Sequence, residues 1–217
     1  MTKGIKLIQA VEQADSSQGL LDAVQALADA RLEEGIPTLI AALSYNNPGA
    51  AVAAVDGLVQ LGEVAVPTLL NLLDDYNYSG RAWAIRALAG IGDPRAVETL
   101  LEAAETDFAM SVRRAAVKGL GYLRWSAIPA QERPAVQARV LKTLLLTSID
   151  PEWVVRYACV VGLQGLATAV ADSQADILSA IKEHFEQMLQ TESDLAVRTR
   201  VQLALQQLSK PCIGSEV

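Results

Sequence analysis

A leucine preceded by Ala or Gly returns along this chain at the interval of a helical hairpin, and that limits the fold more than any other feature. The leucines are Leu27, Leu58, Leu88, Leu120, Leu163 and Leu205, spaced by 31, 30, 32, 43 and 42 residues. Periods of this length mark two-helix units that cannot bury an apolar face alone and must stack on their neighbours. A second register runs in step. Arg81, Arg113, Arg156 and Arg198 each stand seven residues before their leucine, and Asp75, Asp107 and Asp150 each stand six before their arginine. The first two copies lack the arginine. Strand signals are absent, so the pattern predicts an all-α chain.

This combination resembles the HEAT repeat, with its inter-helix Asp and a Val-Arg start to the second helix. Val112-Arg113, Val155-Arg156 and Val197-Arg198 match it, and Gly80-Arg81 is a variant. The resemblance implies a right-handed α-solenoid of about five to six hairpins. Residues 1–208 are expected to form one domain and residues 209–217 a tail. Helices are expected over 16–30 (capping the stack), 36–43, 50–61, 64–73, 96–104, 112–123, 136–146, 153–166, 176–190 and 197–208, besides the one over 81–91 discussed below.

Composition agrees. Half of the 217 residues are apolar but only 5% are aromatic, so Ala, Leu and Val supply a closely packed helical core. The net charge of −7 argues against a nucleic-acid partner, which needs a basic face. Two cysteines, Cys159 and Cys212, and a single histidine, His184, suggest no disulfide framework and no metal site. Cys159 reads as a small buried hydrophobe and His184 as a solvated or edge residue. There is no run of 18 apolar residues and no leader-like N-terminus, so no membrane span is expected and a cytoplasmic protein is.

Residues 74–95 are the best-preserved unit. Asp74-Asp75-Tyr76-Asn77-Tyr78-Ser79 is a polar, aromatic turn; a helix with Arg81, Trp83 and Arg86 follows; Gly92 suits its end, and Asp93-Pro94 the next start. In a solenoid of this kind the second helices line the concave side, where ligands sit. Tyr76, Tyr78, Arg81, Trp83, Arg86, Trp153, Arg156 and Tyr157 fall at the starts of such helices or in the preceding turns, with Arg124 and Trp125 at a helix end. Arginine beside aromatic rings suits a flat, conjugated, anionic ligand: rings stack and guanidinium pairs with carboxylate. Arg113 and Arg198 read instead as a ladder between repeats. For Trp125 and Trp153, packing and ligand contact both stay open.

Tyr76-Asn77-Tyr78, Arg81-Ala82-Trp83-Ala84 and Arg86-Ala87-Leu88-Ala89-Gly90-Ile91-Gly92-Asp93-Pro94-Arg95 resemble the signature of the phycobilin lyases of E/F type. Residues 45–55 and Asp150-Pro151-Glu152-Trp153-Val154-Val155-Arg156-Tyr157 are similar to that family too. The likeness runs from about residue 10 to about residue 208, and is greatest to the F-type subunits. It implies a heterodimer with a homologous E-type subunit, in the cytoplasm of cyanobacteria and associated with the phycobilisome. The pair would attach phycocyanobilin, an open-chain tetrapyrrole, to a cysteine of the apo-phycocyanin α subunit. The bilin is then substrate, and no cofactor is implied. A related F-type subunit that also isomerises the bilin carries a His-Cys pair; this chain has none, so attachment without isomerisation is expected. In this reading Arg81, Arg86 and Arg156 hold propionates and Tyr76, Tyr78, Trp83, Trp153 and Tyr157 hold the rings. Asp75 or Asp150 would stabilise the protonated bilin. The alternative from a different class is a non-catalytic scaffold or bilin carrier in phycobilisome assembly or turnover.

Overall fold

The computed structural model describes residues 1–74 and 78–209. Twelve α-helices follow one another: α1 (Lys3–Glu12), α2 (Ser17–Ala30), α3 (Ile36–Ala42), α4 (Pro48–Leu61), α5 (Val66–Asp74), α6 (Tyr78–Ile91), α7 (Val97–Thr106), α8 (Met110–Gly121), α9 (Arg133–Thr147), α10 (Trp153–Val170), α11 (Ala175–Thr191) and α12 (Leu195–Ser209). They pair as six hairpins. The second helices form one continuous inner row, α2–α4–α6–α8–α10–α12, and the first helices pack along its outside. This is the α-solenoid that the repeat predicts. Short 3-10 turns introduce several first helices, among them Pro94–Ala96 before α7.

Local chemistry sets the boundaries. Ser16 caps α2 by accepting from the Gly19 N–H at 3.1 Å, and Asn47 caps α4 through Ala50 N–H at 3.0 Å with Pro48 at the first helical position. Gly92 ends α6 at φ +66°, and Asp93 caps the following turn. The helix α1 was not expected. It packs on α2, so α2 is the inner member of the first hairpin and not the cap of the stack.

The repeating leucines Leu27, Leu58, Leu88, Leu120 and Leu163 are all fully buried, each contributing about 1.5–3 kcal/mol by removal from water. The small residues beside them matter as much. A Cβ on Gly121 would lie 2.0 Å from the Gly162 carbonyl oxygen, and one on Gly162 would lie 2.3 Å from the Val117 oxygen. Helices α8 and α10 therefore touch backbone to backbone, which only glycine permits.

Two stretches, Pro48–Leu73 and Trp153–Val170, are long and apolar enough to cross a membrane by length and composition, although neither is an unbroken apolar run. Half of each is buried inside the solenoid, and α10 lies between α8 and α12. Their apolarity is that of inner helices covered on several sides.

Candidate functional site

The two faces of the inner row carry different chemistry. At the starts of the inner helices runs an ion-pair ladder. Arg81 Nε donates to Asp107 Oδ2 at 2.7 Å. Arg113 holds both oxygens of Asp150, and Arg156 both oxygens of Glu192, at 2.7–3.0 Å. Each acid belongs to the next repeat. Arg113 and Arg156 also donate from Nη1 to carbonyls of their own inter-helix turn, Asp107 and Asp150. Each acid in turn accepts a backbone N–H two residues on: Ala109, Glu152 and Asp194. Burial raises the Asp150 pKa, but Arg113 and the Glu152 N–H outweigh it and hold the carboxyl below its ordinary value. Arg156 does the same for Glu192 against the cost of burial.

This geometry corrects several expectations. Asp150 is bonded into the ladder and is not free for a bilin. Arg81 and Arg156 are ladder members like Arg113, because the position seven before the leucine points along the solenoid toward the next repeat. Arg198, the last in the series, donates to the Glu192 carbonyl at 3.3 Å. Trp83 is half-buried against the core, with the Arg86 guanidinium 5.5 Å from its ring centroid. Trp125 also packs on the core. His184 is part-buried and shares a 2.9 Å hydrogen bond with Ser148, and burial lowers its pKa. Asp75 and Tyr76 lie outside the described residues, as does the side chain of Tyr78.

Across the inner helices lies a groove of about 880 Å³, lined from α4, α6, α8, α10 and α12. Beside Trp153 and Tyr157 it meets a second hollow of about 500 Å³ that reaches Leu195, Arg200 and Leu203 on α12. The structure thus brings together three of the expected residues, Arg86, Trp153 and Tyr157, and adds Asp56, Arg114, Lys118 and Tyr122. The added charged residues were legible in the repeat. Asp56, Arg86, Lys118, Val161 and Leu203 all stand two residues before the repeating leucine, and Arg114 and Tyr157 stand six before it. Counting back from the leucine at these two offsets would have found them.

The groove is electrostatically open. Ten of the twelve arginines hydrogen-bond a protein acceptor; Arg86 and Arg114 make no hydrogen bond or ion pair among the described residues, although Arg86 faces Trp83. With Lys118 they present free cationic donors beside the exposed rings of Tyr122, Trp153 and Tyr157. Such an arrangement can bind carboxylates and stack a conjugated ring system. The groove lining includes no cysteine, serine, threonine or histidine. Cys159 is buried on the far side of α10 from solvent, hydrogen-bonded to Thr147, and burial pushes its thiol up to about 12. Among the described residues no group of three His, Cys, Asp or Glu side chains could hold a metal ion.

Known proteins carry the same features. The HEAT repeats family matches residues 66–164, and the PBS lyase HEAT-like repeat matches residues 50–75. The chain is 60% identical to the phycocyanobilin lyase subunit beta of Pseudanabaena tenuis, over 94% of this chain and 73% of that protein. It is 49% identical to the phycocyanin alpha phycocyanobilin lyase CpcF of Synechocystis, over 94% of this chain and 93% of that one. Its fold is similar to a chain in the solved complex of CpcE and CpcF of phycocyanin lyase from Nostoc, with TM-score 0.72, 51% identity, and coverage of 79% and 98%. With a HEAT-repeat solenoid and relatives of this identity over nearly its whole length, the chain belongs to the family of phycocyanobilin lyase beta (F-type) subunits.

Proposed function

We propose that this chain is one subunit of a heterodimeric lyase, with an E-type partner, that joins phycocyanobilin to a cysteine of the phycocyanin α subunit, and that the inner groove receives the bilin. The observation that carries this reading is the pair of guanidiniums, Arg86 and Arg114, that have no hydrogen-bond or carboxylate partner among the described residues, where every other arginine has an acceptor. Free arginine forks opposite exposed aromatic rings match a flat molecule bearing two propionates.

The reaction asks little covalent chemistry of this chain. The acceptor's sulfur bonds to the ethylidene carbon of ring A, a proton is added at the adjoining ring carbon, and nothing leaves. Sulfur comes from the acceptor, consistent with a buried, protonated Cys159. The chain's part is positioning. Arg86, Arg114 and Lys118 fix the propionates, Tyr122, Trp153 and Tyr157 restrict the rings, and the partner and acceptor close over them. The bilin is substrate and no resident cofactor is needed. No isomerisation is assigned, since the chain has no His-Cys pair. This reading places the protein in the cyanobacterial cytoplasm.

Co-expression with the E-type subunit, a bilin source and apo-phycocyanin α subunit tests it, read by zinc-enhanced fluorescence on a denaturing gel and by absorption. A red-absorbing covalent adduct that requires this chain, and falls at least tenfold with Arg86→Ala/Arg114→Ala, is expected. An adduct formed equally well without the chain would favour a scaffold or carrier instead.

A further inference from the structure

We propose that Asp56 is the counter-ion of the bound bilin: its carboxylate faces the pyrrole nitrogens and keeps the conjugated system protonated, while Arg86, Arg114 and Lys118 take the propionates. The proposal rests on the groove being the bilin site.

Asp56 is the one acid among the residues that line the groove. It is exposed on α4, and it makes no hydrogen bond or ion pair among the described residues. Elsewhere the described residues close acid–arginine pairs between repeats five times at 2.6–2.8 Å: Arg81 with Asp107, Arg113 with Asp150, Arg156 with Glu192, Arg124 with Asp93, and Arg139 with Glu98. Asp56 and Arg86 occupy the same register position on adjacent inner helices, roughly 8–10 Å apart axis to axis, yet they stay unpaired. Arg86 turns to Trp83 instead. Opposite charges are thus held apart and facing a hollow. This arrangement suits a ligand with anionic groups on one edge and a cationic edge of its own.

A tetrapyrrole of this kind is such a ligand. Protonated, it is a delocalised cation whose nitrogens and propionates lie on different edges. A groove offering only Arg86, Arg114 and Lys118 would lower its proton affinity, because like charges disfavour the charged form. A carboxylate at the nitrogen edge reverses that. The other elements packed on α4 do not replace it. Helix α2 presents Gln25 at the equivalent position, and its Asp22 and Asp29 are hydrogen-bonded to Gln18 and Gln25. Helix α3 has no ionisable side chain, and Glu63, beyond the end of α4, faces Arg124. The step is an equilibrium: the bilin takes a proton from water, Asp56 remains ionised, and no bond to carbon changes.

The test uses the heterodimer with its E-type partner and phycocyanobilin, without acceptor. Absorption is followed against pH to find the midpoint of bilin protonation. The wild-type midpoint is expected above that of free bilin, and Asp56→Asn is expected to lower it by about one unit or more, a tenfold loss of proton affinity. Asp56→Glu should restore it, which a purely structural role would not require. Loss of bilin binding in Asp56→Asn that Asp56→Glu restores is the same result read through affinity. A wild-type midpoint no higher than that of free bilin, an unchanged midpoint in Asp56→Asn, or an Asp56→Glu complex that behaves like Asp56→Asn overturns the proposal. The groove reading fails separately, if Arg86→Ala/Arg114→Ala leaves bilin affinity unchanged.

Discussion

Arg113 and Asp150 stand 37 residues apart and meet side-on, Nε to Oδ2 at 2.7 Å and Nη2 to Oδ1 at 3.0 Å. The arginine side chain is 14% exposed and the aspartate 7%. The pair therefore locks α8 to the turn before α10, the two helices whose contact forms the groove floor.

Removing one partner of so buried a pair leaves an uncompensated charge. Arg113→Ala is expected to cost about 3–5 kcal/mol of unfolding free energy. Arg81→Ala, whose own side chain is 32% exposed, should cost less than Arg113→Ala but more than an exposed pair would, because Asp107, 3% exposed, loses its guanidinium. Urea unfolding followed by far-ultraviolet circular dichroism checks the order; equal losses would count against a buried ladder.

Acid should weaken the solenoid through its carboxylates. Arg95, bonded to Asp93, holds that carboxyl at about 2, well below the usual carboxylate range, with burial opposing. Asp150 and Glu192 are lowered as well. For a carboxylate lowered on folding, the stabilisation is complete above its unfolded pKa and disappears as pH falls through the folded one. The stability curve is thus expected to be flat near neutrality and to drop between about pH 4.5 and 2. In Asp93→Asn the drop should be shallower, as measured by urea midpoints across that range.

Gly121→Ala is expected to destabilise by about 3 kcal/mol or more, beyond ordinary overpacking, because the new methyl would meet the Gly162 carbonyl, a backbone atom. Thermal melting of the heterodimer would show it. A melting temperature within a degree of wild type would mean that α8 and α10 separate more easily than their contact implies.

Tyr157→Ala and Trp153→Ala should split binding from stability. Both side chains are substantially exposed, so unfolding should change by about 1 kcal/mol or less. Bilin affinity should fall roughly three- to tenfold for each, the worth of a lost aromatic contact. Bilin titration by absorption beside a melting curve separates the two effects.

The repeat was legible because it is written locally. The Ala/Gly-Leu step, the Val-Arg start and the Asp six residues earlier are short-range patterns, and they specified hairpins that must stack. Gly92 and Asp93 likewise announced a helix end and the next start, because capping depends on neighbouring residues alone. The helix α1 went unread because it precedes the first repeating leucine, and only Gly4 and Val11 of its 10 residues are buried.

The site was legible only in part. Aromatic–arginine proximity along the chain named Arg86, Trp153 and Tyr157, which stacking brings into one groove, and also Arg81 and Arg156, which the ladder consumes together with Asp150. Arg113 and Arg114 state the reason most simply. They are adjacent and chemically identical, and about 100° of helix rotation separates them. One is turned toward the next repeat and finds Asp150; the other lines the groove and meets no acceptor among the described residues. The sequence by itself determined the family, the repeat and the helical hairpins, because those depend on residue type and spacing. Which arginine is structural and which is free was decided by the stacking of the repeats, because only stacking brings the next repeat's acid within reach.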